Sequence, residues 1–436
     1  MFIRLTGICI LAAALRAVVC QLPNATCTQQ HRPNEDALTG GDQACQAADG
    51  LSAGNKGTSA ADRAIAQAAA QRQPGMHIAI IIPLYNQGDL LPETLASVVQ
   101  QTYSKWEVLI VDDGSTDSTS PAVARQLVDN YTAQGFNMRL MEKPNGGLAD
   151  ARNFAIRAVQ ANWILPLDSD DIILPTFLAK AADLLARHPD ANLAVADEKG
   201  FGDVTDFAWQ LPQFDDLELL FANQFHCSAV YHRSLWEAVP YGYPPFTIFG
   251  YEDWAFWIAA HNALGIRPVY IREDLFLYRI RHQSMHQQLL HSQQYSLASM
   301  RILFAHVYPG ELLLAAHDKF SGGVPDKVAA AVEEKVAKAG DWAYPWLMAG
   351  LIKEGSGSME DAMAAYETAA ALADCDDWQP RWRLGLLQQA AGDFSAGNAT
   401  LVQLFSEFTL LDQLYESYAR DRLGRGSVTL EDLVLE

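Results

Sequence analysis

The sequence predicts an α/β fold with a mostly parallel sheet flanked by helices, followed by an α-helical C-terminal region. Three observations carry the prediction. Ile78-Ala79-Ile80-Ile81-Ile82, Trp106-Glu107-Val108-Leu109-Ile110-Val111 and Trp163-Ile164-Leu165-Pro166-Leu167 are short, nearly continuous apolar runs, the pattern of strands buried on both faces. Helix-patterned stretches at 90–101, 120–134 and 148–160, and a short strand at 138–142, alternate with them, the rhythm of strand–helix crossovers. Beyond Ala330 the texture becomes Ala-rich and helical.

The flanks read differently. Arg4, an apolar stretch over 5–19 interrupted by Arg16, and the small residues Val18 and Cys20 before Gln21 give residues 1–20 the form of a signal peptide or short signal anchor. That places the chain in the secretory pathway, with a cytoplasmic location as the alternative. Sequons at Asn24, Asn130 and Asn398 agree with lumenal entry. Cys27 and Cys45 are close enough in sequence to pair in an oxidising lumen, whereas Cys227 and Cys375 read as buried free thiols. Residues 21–75, rich in Ala, Gln, Gly, Asn, Asp and Ser, read as a flexible stem. The α/β domain then spans 76–290, a helical connection 291–335, paired helical units 336–410 and a tail 411–436.

In the paired units, Trp346-Leu347-Met348-Ala349-Gly350 corresponds to Trp382-Arg383-Leu384-Gly385, and Asp361-Ala362 to Ser395-Ala396, at a separation of about 34 residues. With Ala362, Tyr366 and Ala369 spaced along the first unit, the segment resembles degenerate tetratricopeptide repeats. Two such repeats seldom stand alone, so docking on the α/β domain is expected, with an ordinary helical bundle as the alternative. The repeats also suggest a surface for a protein partner.

The formal net charge is −21, from 31 basic and 52 acidic side chains, which argues against a nucleic-acid partner. It leaves phosphate-bearing ligands open, because a metal ion can mediate between carboxylates and a diphosphate. The turn after the first strand, Pro83-Leu84-Tyr85-Asn86-Gln87-Gly88, lacks the Gly-x-Gly-x-x-Gly fingerprint of dinucleotide enzymes.

Three polar clusters fall just past the carboxyl ends of predicted strands: Asn86, Asp112-Asp113 and Asp168-Ser169-Asp170-Asp171. In an open α/β sheet that edge is where ligands gather, so clusters far apart in sequence converge there. Two carboxylates spaced Asp-x-Asp, as Asp168 and Asp170 are, suit a ribose hydroxyl and a hard divalent cation that bridges two phosphates. Alone, the same spacing also suits a solvated acidic turn.

The surroundings add a resemblance. Pro83-Leu84-Tyr85-Asn86, Asp112-Asp113-Gly114-Ser115-Thr116-Asp117, Asn145-Gly146-Gly147-Leu148-Ala149-Asp150-Ala151-Arg152-Asn153, Leu167-Asp168-Ser169-Asp170-Asp171 and Tyr251-Glu252-Asp253-Trp254 occur in that order. Over residues 77–285 the chain resembles glycosyltransferase family 2, whose members have the GT-A fold and invert the anomeric centre. The resemblance implies a nucleotide-sugar donor, UDP-linked by family habit, and Mn²⁺ or Mg²⁺ as cofactor. It implies that Pro83, Tyr85 and Asn86 line the nucleotide pocket, and that Asp113 accepts hydrogen bonds from the base with Asp112 nearby. It gives Arg152 to the nucleotide end, Asp168 to the ribose, Asp170 to the metal, Asp171 to a supporting position and Asp253 to the general base. In the family's last motif, Tyr278-Arg279-Ile280-Arg281-His282, Arg279 and Arg281 would face the diphosphate and His282 the metal; which of Arg281 and His282 does so stays open. The acceptor, whether glycan, lipid or protein, is not implied.

Plain structural roles compete for several of these residues. Asp112 could cap a turn, Asp117 suits a helix cap, Glu252 a structural partner, and Trp254, Phe256 and Trp257 a core. His226, His232 and His286 read as structural histidines. For the whole chain, the alternative to an active transferase is an idle relative that binds a nucleotide or glycan and acts through its helical units.

Overall fold

A strand with no polar side chain must lie between two covering layers, and β1 (Ile78–Leu84) is buried along its whole length. In the computed structural model, which describes residues 76–216, 218–244, 250–281, 293–305, 307–308, 310–340, 342–373 and 377–407, β1 is the centre of the first half of the sheet. β2 (Trp106–Asp112) and β4 (Trp163–Pro166) flank it in parallel, and β3 (Met138–Glu142) extends the edge beyond β2. The crossovers are α1 (Leu91–Val99), α2 (Thr119–Ala133) and α3 (Leu148–Ala158). The chain steps from β1 outward to β3 and then returns to the other side of β1 for β4, so β1 and β4 form the switch point at which sheets of this kind bind ligands.

Alternation along β1 builds two cores, as the two-residue side-chain period requires. Ile78, Ile80 and Ile82 pack with Leu91, Leu95 and Val98 of α1 and with Phe177 and Leu178 of α4 (Phe177–Arg187). Ala79 and Ile81 face Ile156 of α3 and Trp254, Phe256 and Trp257 of α6 (Glu252–Leu264); α5 (Ser234–Glu237) lies between α4 and α6 in sequence. Trp254, Phe256 and Trp257 are thus core residues, as expected.

The α/β class and the helical C-terminal region are as predicted, and β1 to β4 are parallel. Beyond β4 the sheet is mixed. β8 (Val230–His232) runs antiparallel to β4 and to β6 (Leu193–Gly202). β9 (Pro268–Ile280) runs parallel to β6 and antiparallel to β5 (Ile172–Ile173) at the far edge, and β7 (Ala208–Trp209) pairs with β6. Strands of two or three residues have too few positions to display a hydrophobic period, so β5, β7 and β8 left no mark in the pattern.

The chain divides into two compact units, one of residues 56–369 and one that holds residues 370–436. The larger ends in α7 (Gln293–Leu303), α8 (Gly310–Ser321), α9 (Asp326–Ala337), α10 (Ala343–Gly355) and most of α11 (Met359–Leu372). Ala362, Tyr366 and Ala369 face inward, and a Cβ on Gly350 would lie 2.4 Å from the Tyr366 ring. In the second unit, α12 (Gln379–Ala390) packs on α13 (Phe394–Glu407), where a Cβ on Gly385 would lie 2.7 Å from Leu401. The two glycines aligned by the sequence correspondence are each a close-approach point of a helical hairpin. Among the described residues no helix is long and apolar enough to cross a membrane. The leader, the stem, the Cys27–Cys45 pair, Cys375, His282, His286 and the tail 411–436 lie outside the described residues.

Candidate active site

The loops after β1 and β2 are locked together before any ligand arrives. Asn86 adopts a left-handed backbone (φ 53°). Its carboxamide oxygen accepts from the amides of Thr116 (2.7 Å) and Asp117 (3.1 Å), while its amide donates to the Ser115 hydroxyl (3.0 Å). Asn86 therefore braces the neighbouring loop, and Tyr85 beside it is exposed; Pro83 is buried at the end of the ladder. Asp112 caps the turn, accepting from the amide and hydroxyl of Ser115 (3.2 and 2.5 Å). Asp117 accepts from the Ser120 amide (3.0 Å) at the start of α2 and is held below the usual carboxylate range by its bonds to Ser120.

Asp113 is buried and holds the Gly-rich turn: Lys143 Nζ (2.6 Å) and the Gly146 amide (2.9 Å) donate to Oδ1, and the Gly147 amide (2.8 Å) to Oδ2. A carboxylate offers about four lone-pair positions, so three donors leave room for one more, such as an imide N–H of a base. This network depends on Gly114, at φ +70°, where a Cβ would meet the Asn145 amide nitrogen at 2.8 Å. Gly114→Ala is expected to cost about 1–3 kcal/mol from the strained backbone alone, read as a drop in the unfolding midpoint, and to loosen the Asp113 turn.

Past β4, the acidic cluster is closed from below. Asp170 Oδ2 accepts from Gln87 Nε2 (3.1 Å) and Arg281 Nη2 (2.7 Å). Asp171, 1% exposed, accepts from the Arg279 amide through Oδ1 (2.8 Å), and its Oδ2 has no hydrogen-bond partner. Arg279 is spent on structure: Nε donates to the Asp170 carbonyl (2.7 Å), Nη2 pairs with Glu93 (2.5 Å), and the guanidinium lies 4.3 Å over the Phe201 ring. The expectation that Arg279 faces a diphosphate thus meets a side chain with other partners, while Arg281 sits on the proposed metal ligand. Burial, then Asp168, pushes Asp170 upward against the pull of Arg281; burial, Asp170 and Asp168 push Asp171 well up.

Three crowded carboxylates with one orphaned buried oxygen form a donor set a hard cation would relieve, and oxygen ligands suit Mg²⁺ or Mn²⁺. Among the described residues no group of three or more His, Cys, Asp or Glu is arranged so as to hold a metal ion by itself.

Arg152 links this cluster to the start of α6. It is 1% exposed, donates through Nη2 to Asp168 Oδ1 (2.7 Å) and through Nη1 to Glu252 Oε1 (2.8 Å). The nucleotide-end contact implied by resemblance is not where this guanidinium points: both outer nitrogens are taken by carboxylates. Glu252 is the structural partner the sequence suggested. Next to it, Asp253 is partly buried, accepting from the Trp254 amide (2.8 Å) and from Asn223 Nδ2 (3.1 Å). Burial, followed by Glu252, pushes its carboxyl up to about 7, against Arg152, the Trp254 amide and Asn223.

Sequence reasoning did not find four residues of the site. Gln87 bridges Ser169 and Asp170, and Lys143 joins Asp113 to Asp150. Cys227, a free and only partly buried thiol, lies 3.6 Å from Asp168 Oδ2, and burial, then Asp168, pushes it well up. Glu198, at 5% exposure on β6, is pushed up to about 8 by burial and then by Asp253. None sits in a motif; Asp197-Glu198, an acidic pair in the middle of β6, is the one signal that could have pointed to Glu198. His226 is structural as expected, bonded to the Ala196 carbonyl (2.9 Å) and pushed down to about 4 by burial.

Glu198 carries a stability prediction. Its folded pKa of about 8 exceeds that of an ordinary carboxylate, so between about pH 4.5 and 8 the folded state holds the extra proton and stability falls as pH rises. Glu198→Gln is expected to match the wild type near pH 4.5 and to exceed it at pH 8 by a few kcal/mol, measured by urea unfolding at both values. A variant with the same pH slope as the wild type sinks the assignment.

Residues 79–239 match the family described as glycosyl transferase family 2. A relative described as an uncharacterized glycosyltransferase, the MG025 homolog of Mycoplasma pneumoniae, is 41% identical over 121 residues, 27% of this chain and 38% of its own length. The chain thus spans well under half of that relative. Among solved structures, S. aureus TarS 1-349 in complex with UDP-GlcNAc superposes with a TM-score of 0.43 at 19% identity, over 74% of this chain and 90% of that one. The mannosyltransferase PcManGT of Pyrobaculum calidifontis, in complex with GDP-Man and Mn²⁺, gives 0.40 at 18%, over 79% and 97%.

Proposed function

From a chain whose residues 79–239 match the family model described as glycosyl transferase family 2, we propose an enzyme that moves a sugar from a nucleotide-sugar donor, UDP-linked, to an acceptor hydroxyl with inversion. The observation that carries the proposal is that Arg152 links the crowded acidic cluster 168–171 to Glu252 and so to its neighbour Asp253, a carboxylate whose pKa suits a base near neutral pH.

Asp113 and the Gly146-Gly147 turn offer the remaining acceptor position to a base, and Tyr85 lies exposed beside that loop. Asp168 takes a ribose hydroxyl on the face not used by Arg152. Asp170 would hold the cation, with Asp171 as its support; when bound, Mn²⁺ or Mg²⁺ neutralises charge on the departing diphosphate. Arg281 supplies a second positive group beside Asp170. Asp253 accepts the acceptor's proton as that oxygen attacks the anomeric carbon, and the diphosphate leaves from the opposite face, so a single displacement inverts the centre. The leader at 1–20 and the sequons support the same reaction placed in the secretory pathway.

The test is transfer and slow hydrolysis across a panel of UDP- and GDP-sugars with and without Mn²⁺. Turnover of at least one donor that EDTA removes and Mn²⁺ restores is expected. Nucleotide binding with no turnover on any donor or acceptor would favour the idle relative.

A further inference from the structure

We infer that Arg152 is a positioning residue that ties the donor-side carboxylate Asp168 to Glu252, and through the first turn of α6 to Asp253, holding both halves of the site in one arrangement. This deepens the proposed function and rests on its reading of Asp253. The geometry leaves Arg152 little else to do. Its guanidinium reaches residues 16 and 100 positions away in sequence at 2.7 and 2.8 Å, bringing two chain segments to one buried cation. It also lies 5.4 Å from the centre of the Tyr243 ring, which stacks on Phe256 of α6 at 4.3 Å. A planar fork gripping two separate carboxylates fixes both in direction as well as distance. To turn toward a phosphate, the Arg152 guanidinium, itself 1% exposed, would have to loosen its grip on Glu252, whose carboxylate is buried, which is unfavourable. Contact with the nucleotide therefore passes through Asp168.

The groups that face Asp253 make the idea testable. Glu252 comes from its own helix, Arg152 from α3, Glu198 from β6 and Cys227 from the loop before β8; Asn223 donates to it. Arg152 is the cation among them and favours the carboxylate, while Glu252 opposes it. Removing each should move the base in opposite directions.

The experiment is the pH dependence of kcat/KM in the full chain, with the donor found in the UDP- and GDP-sugar panel, for wild type, Glu252→Gln, Arg152→Lys and Arg152→Met. UDP affinity with Mn²⁺ is measured by calorimetry alongside. The acid limb is expected to move to lower pH in Glu252→Gln and to higher pH in Arg152→Met. Arg152→Lys should keep the limb closer to the wild type yet lose kcat by about tenfold or more, since one ammonium cannot grip both carboxylates. Arg152 variants that weaken UDP binding while the limb stays in place would overturn the inference and return Arg152 to direct nucleotide contact. Should Arg152→Met fail to fold, or no turnover be found, a double-mutant cycle on Tm decides. Asp168→Asn and Glu252→Gln are expected to be non-additive because they share one guanidinium, and additivity overturns the link. Full turnover in Asp253→Asn, by contrast, removes the base reading and leaves the Tm coupling standing.

Discussion

Asp170→Ala is expected to abolish metal-stimulated turnover, with kcat/KM falling by about 10²–10⁴-fold, the range that several kcal/mol of lost charge stabilisation corresponds to. The size of the effect follows from crowding. Asp170 sits among Asp168 and Asp171 with Arg281 as its ion-pair partner among the described residues at 2.7 Å, so its carboxylate is the group best placed to gain from a cation. The variant frees Arg281, which can then approach the diphosphate unaided. Residual activity should for that reason be insensitive to Mn²⁺ rather than zero. Calorimetry of UDP binding with and without Mn²⁺ separates the two contributions: the metal increment disappears in the variant while the metal-free affinity holds or improves. Because burial and Asp168 raise Asp170 above the ordinary carboxylate, protons compete with the metal, and the wild-type Mn²⁺ requirement should steepen as pH falls. An Asp170→Ala enzyme that keeps the full Mn²⁺ response would dismiss the assignment.

The contrast between what the sequence disclosed and what it withheld has a physical basis. β1, β2 and β4 are legible because a strand buried on both faces must be apolar at every position, and the same logic marks where each strand ends, at Asn86, Asp113 and Asp168. Strand-end position thus located the acidic cluster without its partners. Those partners come from elsewhere in the chain and obey no spacing rule: Arg281 reaches Asp170 across 111 positions, and Asn223 reaches Asp253 across 30. The direction in which a polar side chain points was equally hidden. The resemblance gives Arg152 to the nucleotide end and Arg279 to the diphosphate, yet the outer nitrogens of Arg152 close on Asp168 and Glu252, and Arg279 closes on Glu93 and the Asp170 carbonyl, since burying an arginine is costly unless carboxylates or carbonyls take up its charge. Asn86 shows the same effect on a smaller scale, turned by a left-handed backbone onto the Ser115–Asp117 loop. Only sequence identity to a family supplied roles; geometry supplies which atoms remain free to perform them.

Asp253→Asn is expected to lower kcat by about 10²–10⁴-fold, the usual contribution of a positioned proton acceptor, with UDP affinity left within about threefold because no donor-side contact is removed. Asparagine has the same shape: its carboxamide oxygen can keep the bond from the Trp254 amide, while its NH2 takes the place of Oδ2 and requires the Asn223 carboxamide to turn its oxygen toward it, so the loss should be chemical and not structural. The wild-type profile tests the same residue without mutation. A base works only when deprotonated, and the Asp253 carboxyl is pushed up to about 7, so kcat/KM should rise tenfold per pH unit below about 7 and level off above it. In Asp253→Asn that limb should vanish, leaving a low rate nearly flat with pH. The stability side has the opposite sign. A carboxyl whose folded pKa is raised binds its proton more tightly when folded, so between about pH 4 and 7 the wild type loses stability as it gains activity. Asp253→Asn should be the more stable protein at pH 8 and the less active one at every pH. A stabilised, inactive variant with intact UDP binding is the signature of a charge kept at a cost for chemistry. If instead the acid limb persists in Asp253→Asn, the base lies elsewhere, and Glu198, raised to about 8 by burial and by Asp253 itself, becomes the carboxylate to replace.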